Sequence, residues 1–232
     1  MRLDKYLCQA LNISRNQAHI RIRRGDVSLD GLVVKKLATP VAEGAEVQLD
    51  GAVVVAGGPR YLMLHKPLGY LCATSDGDHP TVLELIPVEL QRDLHPAGRL
   101  DMDTTGLVLL SSDGQWTHRI TAPRSRCPKV YRAELAEPLV ADAEQQFAAG
   151  MVLRNETQPT LPAELQRLAP QQVRVTLSEG RYHQVKRMFA ALGNRVVALH
   201  REQIGPVVLD PALAPGEFRP LNEAEIAAFR SR

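Results

Sequence analysis

Two carboxylates stand two residues apart in His95-Pro-Ala-Gly-Arg-Leu-Asp-Met-Asp-Thr-Thr-Gly106, and the apolar run Leu107-Val-Leu-Leu110 follows at once. Proline and glycine mark a loop and the apolar run a buried strand, so Asp101 and Asp103 lie on a loop that feeds the core. Rigid backbone lets such a loop hold a carboxylate at a cleft, where an ionised aspartate can serve as a covalent nucleophile. Lys129-Val-Tyr-Arg-Ala-Glu-Leu135 alternates with period two, with Val130, Arg132 and Glu134 on one side, which turns Tyr131 inward with Ala133 and Leu135. Val185, Met188, Phe189 and Leu192 recur at helical spacing until Gly193 ends the helix. Lys186 sits beside that stripe, able to bury its stem and reach a cleft or simply to snorkel at the core's edge, while Arg187 points well away from it.

Several elements must position these groups. Tyr61-Leu-Met-Leu-His65 reads as an apolar strand, Tyr70 to Ala73 as its continuation beyond a bend, and Thr81 to Ile86 as a short helix. Ser111-Ser-Asp-Gly114 reads as a turn, and Val173 to Ser178 as an alternating strand that turns through Glu179-Gly-Arg-Tyr-His183 into the helix of Lys186. The spacing Asp101-Met-Asp103-Thr104 also fits the Asp-x-Asp-x-Thr loop of aspartyl-phosphate phosphatases, in which two carboxylates bind magnesium. That loop follows an apolar strand, whereas here Pro96-Ala-Gly-Arg99 precedes it and the apolar run comes after.

The N-terminal segment differs in charge. Residues 1–36 carry eight Lys or Arg against three Asp, a net +5, and the rest carries 20 basic and 23 acidic residues, a net −3. Leu3, Tyr6, Leu7, Ala10 and Leu11 give one amphipathic helix that stops at Asn12. Ser14 is placed to cap a second, which carries Ala18 and Ile22 and ends at Gly25. On it Arg15, His19 and Arg23 share a face with Arg21 and Arg24 on its flanks, a basic stripe that is either a solvated face or a polyanion site. Val27 and Leu29, the turn Asp30-Gly31, Leu32 to Val34, and Val47 with Leu49 before Asp50-Gly51 give a small β ribbon. Two short helices and a ribbon bury only a thin core, so this module reads as a recognition appendage. The expected division is a module over residues 1–56, a linker over 57–60 loosened by Gly57 and Gly58 and punctuated by Pro59, and a larger domain over 61–232.

Arg2-Leu-Asp-Lys-Tyr-Leu7, Ser14-Arg-Asn-Gln-Ala18 and Gly25-Asp-Val-Ser-Leu-Asp-Gly31 resemble an S4-type RNA-binding domain. In order, Gly98-Arg-Leu-Asp-Met-Asp-Thr-Thr-Gly106, Lys129-Val-Tyr131 and Glu179-Gly-Arg-Tyr-His-Gln-Val-Lys-Arg-Met188 resemble the motifs of pseudouridine synthases of the RsuA family. The likeness continues through Leu199 to Gly205 and Pro215 to Leu221. It implies Asp101 as nucleophile, Tyr131 as the active-site tyrosine that takes the C5 proton or packs on uracil, and Lys186 as the basic partner of Asp101. Arg99 becomes a wedge or phosphate clamp beside an extruded nucleotide, and Arg181, His183 and Arg187 become contacts to flanking phosphates. It implies 16S rRNA, free or in a partly assembled small subunit, as partner, with a large-subunit target as the alternative. No cofactor and no metal are required, because isomerisation changes no oxidation state.

The expected fold is α+β: two helices and a ribbon in front of a mostly antiparallel mixed sheet flanked by helices. Apolar residues at 44% and charged residues at 23% match ordinary globular usage. No apolar run reaches the length of a membrane span, so the protein is expected in the cytoplasm, as a monomer. Cys8, Cys72 and Cys127 are too few and too far apart for a zinc site or a disulfide scaffold and read as core fillers. A second reading is a non-catalytic ribosome-assembly protein that uses the S4-like module alone.

Overall fold

The structure, a computed structural model, describes residues 1–229 except Asn12, Glu43 and Ala56. Asn12, where the first helical pattern stops, and Ala56, the last residue of the expected small module, thus lie outside the described residues. The chain divides into two compact units, Met1–Pro59 and Arg60–Arg232. Among the described residues no helix is long and apolar enough to cross a membrane.

In the first unit, α1 (Leu3–Leu11) and α2 (Arg15–Arg24) pack through Leu3, Leu7, Ala18 and Ile22 against Val27 and Val47. Ser14 and Gln17 close a reciprocal capping box at the start of α2, and Gly25, at φ +88°, ends it in the left-handed conformation. Strands β1 (Val27–Leu29), β2 (Leu32–Val33), β3 (Val47–Leu49) and β4 (Ala52–Val53) form an antiparallel sheet in the order β2-β1-β3-β4. Both Asp-Gly turns hold positive φ at both residues, the backbone that two-residue hairpins demand. Strand β4 lies beyond the expected ribbon. Yet Val47-Gln-Leu-Asp-Gly-Ala-Val-Val54 repeats the pattern of Val27-Ser-Leu-Asp-Gly-Leu-Val-Val34, and so makes a second hairpin.

The second unit is built on one mixed sheet. Its strands are β5 (Tyr61–Lys66), β6 (His95–Pro96), β7 (Thr105–Ser111), β8 (Lys129–Leu135), β9 (Glu164–Ala169), β10 (Gln172–Leu177), β11 (Val196–Ile204), β12 (Val207–Val208) and β13 (Phe218–Pro220). The order is β13-β5-β7-β11-β8-β10-β9, with β6 on β7 and β12 on β11. Every pairing is antiparallel except β7 with β11. Around it lie α3 (Val88–Gln91), α4 (Gly114–Thr121), α5 (Ala143–Ala149), α6 (Gln184–Ala191) and α7 (Glu223–Ala227).

Period-two alternation sorts the core. Leu62, Leu64, Val108 and Leu110 pack on one face with Val82, Ile86 and Leu100. Tyr61, Met63, Leu107 and Leu109 pack on the other with Trp116 and Phe229. Covered on both faces, these strands read as continuous apolar runs. The β8-β10-β9 half has its own cluster, in which Ala133, Val175 and Leu177 meet Phe147, Met188 and Phe189 of α5 and α6.

Three local expectations need correction. Tyr70 to Ala73 forms no strand, only a single parallel bridge from Leu71 to Thr81. Residues 82–85 wind as a 3-10 turn capped by Thr81 rather than an α-helix. The Ser111-Ser-Asp-Gly114 turn is the start of α4, since the Asp113 carboxylate accepts the N–H groups of Gln115 and Trp116. All three cysteines are buried, as core fillers should be.

Gly106 sits where β7 meets β11, paired with Arg201. Its φ is +109°, and an added Cβ would lie 2.3 Å from the Arg201 carbonyl oxygen and 2.7 Å from its nitrogen. Backbone atoms cannot rotate aside as side chains do. Gly106→Ala is therefore expected to part β7 from β11 and lower the melting temperature by about 10 °C or more, a cost above about 3 kcal/mol. Thermal denaturation of the variant checks this, and a shift under about 3 °C would contradict it.

Candidate active site

The seam between the two halves of the sheet brings the candidate residues Asp101, Tyr131 and Lys186 together. Leu100 anchors the loop before Asp101 in one apolar cluster, Val185 anchors α6 before Lys186 in another, and Tyr131 packs against both. Local sequence makes each placement. Asp101 follows a buried leucine in a loop whose Gly98 takes φ +102°, and Lys186 follows a buried valine on a helix.

Lys186 Nζ donates to Asp101 Oδ2 at 3.0 Å and to Asp103 Oδ1 at 2.5 Å. His183 Nε2 lies 3.3 Å from the other oxygen, Asp101 Oδ1. The Asp101 side chain is 29% exposed, while that of Asp103 is 72% exposed. Asp101 thus faces solvent partly, with a cation on one oxygen and an imidazole beside the other. An ammonium occupies the space between the two carboxylates that a shared magnesium would need, which removes the phosphatase-like reading.

Burial pulls the Lys186 ammonium down, but its bonds to Asp103 and Asp101 outweigh that and raise its pKa overall. The Lys186 bond holds the Asp103 carboxyl below its usual range, against burial. The depressed carboxyl contributes stability above its unfolded pKa and loses it as pH falls through the folded value. The raised ammonium contributes below its unfolded pKa and loses it as pH climbs through the folded value. The contact therefore persists across the range from about pH 4 to about pH 10 and is lost only below and above it.

Two buried cations hold the loop from behind, and neither was singled out in the sequence. Arg201, 1% exposed on β11, donates to the carbonyls of Gly98 at 3.0 Å, Arg99 at 3.3 Å and Leu107 at 2.8 Å. Its guanidinium lies 6.0 Å from the centre of the Tyr131 ring. Lys66, 0% exposed at the end of β5, donates to the carbonyls of Pro67, Met102 and Thr104. Burial pushes its pKa down, while Cys72, Asp103 and Asp101 oppose that. One cation grips the backbone before Asp101 and the other the backbone after it. A sequence signal existed for each: Lys66 closes an apolar strand, and Arg201 shares the buried parity of Leu199.

Residues 60–191 match the RNA pseudouridylate synthase family, and residues 1–47 match the S4 domain. The chain belongs to the RNA pseudouridylate synthase family. It is 54% identical over 229 residues to the "Ribosomal small subunit pseudouridine synthase A" of Yersinia pestis, covering 98% of this chain and 97% of the relative. The protein of the same name from Escherichia coli strain K12 is also 54% identical over 229 residues, covering 98% of this chain and 99% of the relative. A solved structure described as "Crystal structure of pseudouridylate synthase" matches 99% of both chains at 45% identity with a TM-score of 0.73. That likeness extends over both units, so the pseudouridine synthase is an isomerase of α+β fold with an S4 domain, and RNA is its partner.

The remaining candidates of this pseudouridine synthase separate into two groups. Arg99 is exposed on the loop beside Asp101, and Arg15, Arg23 and Arg24 are exposed on α2. Among the described residues none of these four guanidiniums has a carboxylate within 4.0 Å. Others turn inward. Arg181 bonds Glu156, Glu179, and the carbonyls of Gln158 and Pro159, and Arg187 meets Glu156 and the carbonyls of Arg154 and Tyr182. These two brace the 154–159 segment. His183 faces Asp101, His19 lies 3.4 Å from Asp4, and Arg21 is shared between Asp26 and Asp50.

Proposed function

We propose that this protein isomerises one uridine of small-subunit (16S) ribosomal RNA to pseudouridine, with Asp101 as the nucleophile. The carrying observation is a partly exposed carboxylate gripped by Lys186 on one oxygen, approached by His183 on the other, and backed by loop carbonyls bonded to Arg201 and Lys66. Full-length relatives named for the small ribosomal subunit support the substrate.

The reaction breaks the N1–C1′ bond of uridine and forms C5–C1′. The C5 proton leaves and N1 regains one, so atoms and electrons balance with no redox step. Asp101 either attacks C1′ or drives departure of the base by charge, and Lys186 keeps a cation beside it for both routes. Tyr131, inward on β8 at the seam, packs on the uracil ring or takes the C5 proton. Neither C1′ nor C5 can be reached inside a stacked helix, so the nucleotide is extruded. Arg99, exposed next to the nucleophile, clamps a phosphate or fills the gap. The protein works as a cytoplasmic monomer on rRNA, free or in a partly assembled subunit, and needs no cofactor.

Arg15, Arg23 and Arg24 on α2 and Arg99 on the larger unit meet phosphates. Four such contacts give a slope of roughly −3 in log K against log salt for single-stranded RNA, so affinity should fall about 50-fold between 50 and 200 mM salt. Titration of a 16S rRNA fragment at several ionic strengths measures the slope, and a flat response would contradict the phosphate assignment. Incubating purified protein separately with 16S and 23S rRNA and mapping pseudouridine chemically tests the substrate. Product in 16S rRNA alone is expected; product confined to 23S rRNA, or none in either, would overturn the reading.

A further inference from the structure

Tyr182 stands out among the exposed side chains. It is 74% exposed, and among the described residues it is the one aromatic in the set of large apolar side chains left widely open to solvent. Its ring lies on the imidazole of His183, centroids 3.8 Å apart and planes 18° from parallel. That imidazole in turn stands 3.3 Å from Asp101. A two-ring stack therefore begins at the nucleophile and ends in solvent.

The backbone fixes the stack in place. His183 takes the left-handed conformation at φ +48°, uncommon for a side-chain-bearing residue, at the N-terminus of α6. The carbonyl of Tyr182 accepts a bond from Arg187, and Arg187 is itself held by Glu156. Apart from the stack on His183, the Tyr182 side chain makes no hydrogen bond or ion pair among the described residues, so its outer ring face is left open. Nearby, Met102 on the Asp101 loop is also exposed, and its carbonyl accepts the N–H of Gly69, beside exposed Leu68. Exposed Met102 and Leu68 thus add apolar surface at a loop that also carries charged Asp101, Asp103 and Arg99.

We propose that Tyr182 is a stacking platform for the base next to the target uridine in the substrate RNA. The inference rests on the uridine-isomerase reading of Asp101. Extruding a nucleotide strips its neighbour of a stacking partner. A flat aromatic face one ring away from the reacting sugar replaces that partner, and every base offers a π-face to it. Tyr131, at the buried seam, belongs to the extruded uracil; Tyr182, outside His183, belongs to the flanking nucleotide.

A cycle of protein and RNA changes tests this. The RNA is a small-subunit rRNA fragment centred on the mapped uridine, intact or with an abasic residue directly 5′ or directly 3′ of it. The proteins are wild type, Tyr182→Ala and Tyr182→Phe, with KM, kcat and Kd measured for each pair. With wild type, one of the two abasic fragments should raise KM and Kd by about 5- to 150-fold, the range of base–aromatic stacking. Tyr182→Ala should show the same loss on intact RNA, carried chiefly by KM, and should be indifferent to that abasic residue. Tyr182→Phe should restore the wild-type pattern, since it keeps the ring. Tyr182→Ala within twofold of wild type in KM and Kd, or losses that simply multiply, would overturn the platform. Coupling in Kd with no product from wild type would leave the platform standing and sink the isomerase reading; product without coupling would do the reverse.

Discussion

Asp101→Asn should form no detectable pseudouridine, a loss of at least about 10⁴-fold in kcat, while binding RNA within about threefold of the wild-type affinity. Asparagine keeps the shape of the side chain and removes its charge. Lys186 retains its 2.5 Å bond to Asp103, and the backbone grips of Arg201 and Lys66 do not involve the Asp101 side chain. The loop therefore keeps its form, and the loss isolates the chemistry. Nucleoside chromatography of digested RNA gives the rate and filter binding gives the affinity. Turnover above about a thousandth of wild type would mean that another group attacks the sugar.

Arg201→Met should lower kcat about 100-fold, with KM for RNA changed less than about threefold. Methionine fills the volume but donates nothing, so the carbonyls of Gly98, Arg99 and Leu107 lose their partner in a buried site. Leaving such groups unpaired costs about 1–3 kcal/mol apiece before relaxation, and a total near 3 kcal/mol would lower the melting temperature by about 6–12 °C in a unit of this size. The kinetic effect has a separate origin. A nucleophile displaced by about 1 Å loses on the order of 100-fold in rate, and the Gly98-Arg99 backbone leads directly to Asp101. A melting shift with kcat intact would make Arg201 a stability residue only. Arg201→Lys, which keeps the charge with a single donor centre, should fall between the two.

Much of this architecture was legible residue by residue because its signals are local. Ser14 and Gly25 delimit α2, Asp30-Gly31 turns a hairpin, and the Leu107 to Leu110 run names a strand covered on both faces. Spacing puts Asp101 on a loop, Tyr131 inward and Lys186 beside the apolar stripe, and the roles proposed for them come from the resemblance to the family's motifs. What sequence hid was tertiary. Glu156 draws in Arg181 and Arg187 from more than 20 residues away, so both look like free surface cations until the chain is folded. His19 and Arg21 lie on a basic stripe in sequence and beside aspartates in space. Lys66 closes an apolar strand and Arg201 is flanked by His200 and Glu202, and only the paths of β5, β7 and β11 reveal the carbonyls they serve. Short or exposed elements were lost for another reason: β9 buries Leu165 alone, so no alternation marks it.

The most direct test is a pseudouridine map of ribosomal RNA from three sets of cells: those with the protein, those lacking it, and those carrying only the Asp101→Asn form. The expected map loses one small-subunit position in the second and third sets and leaves large-subunit positions untouched. An unchanged map without the protein, or that position still modified by the Asp101→Asn form, would contradict a carboxylate-driven isomerisation of small-subunit RNA.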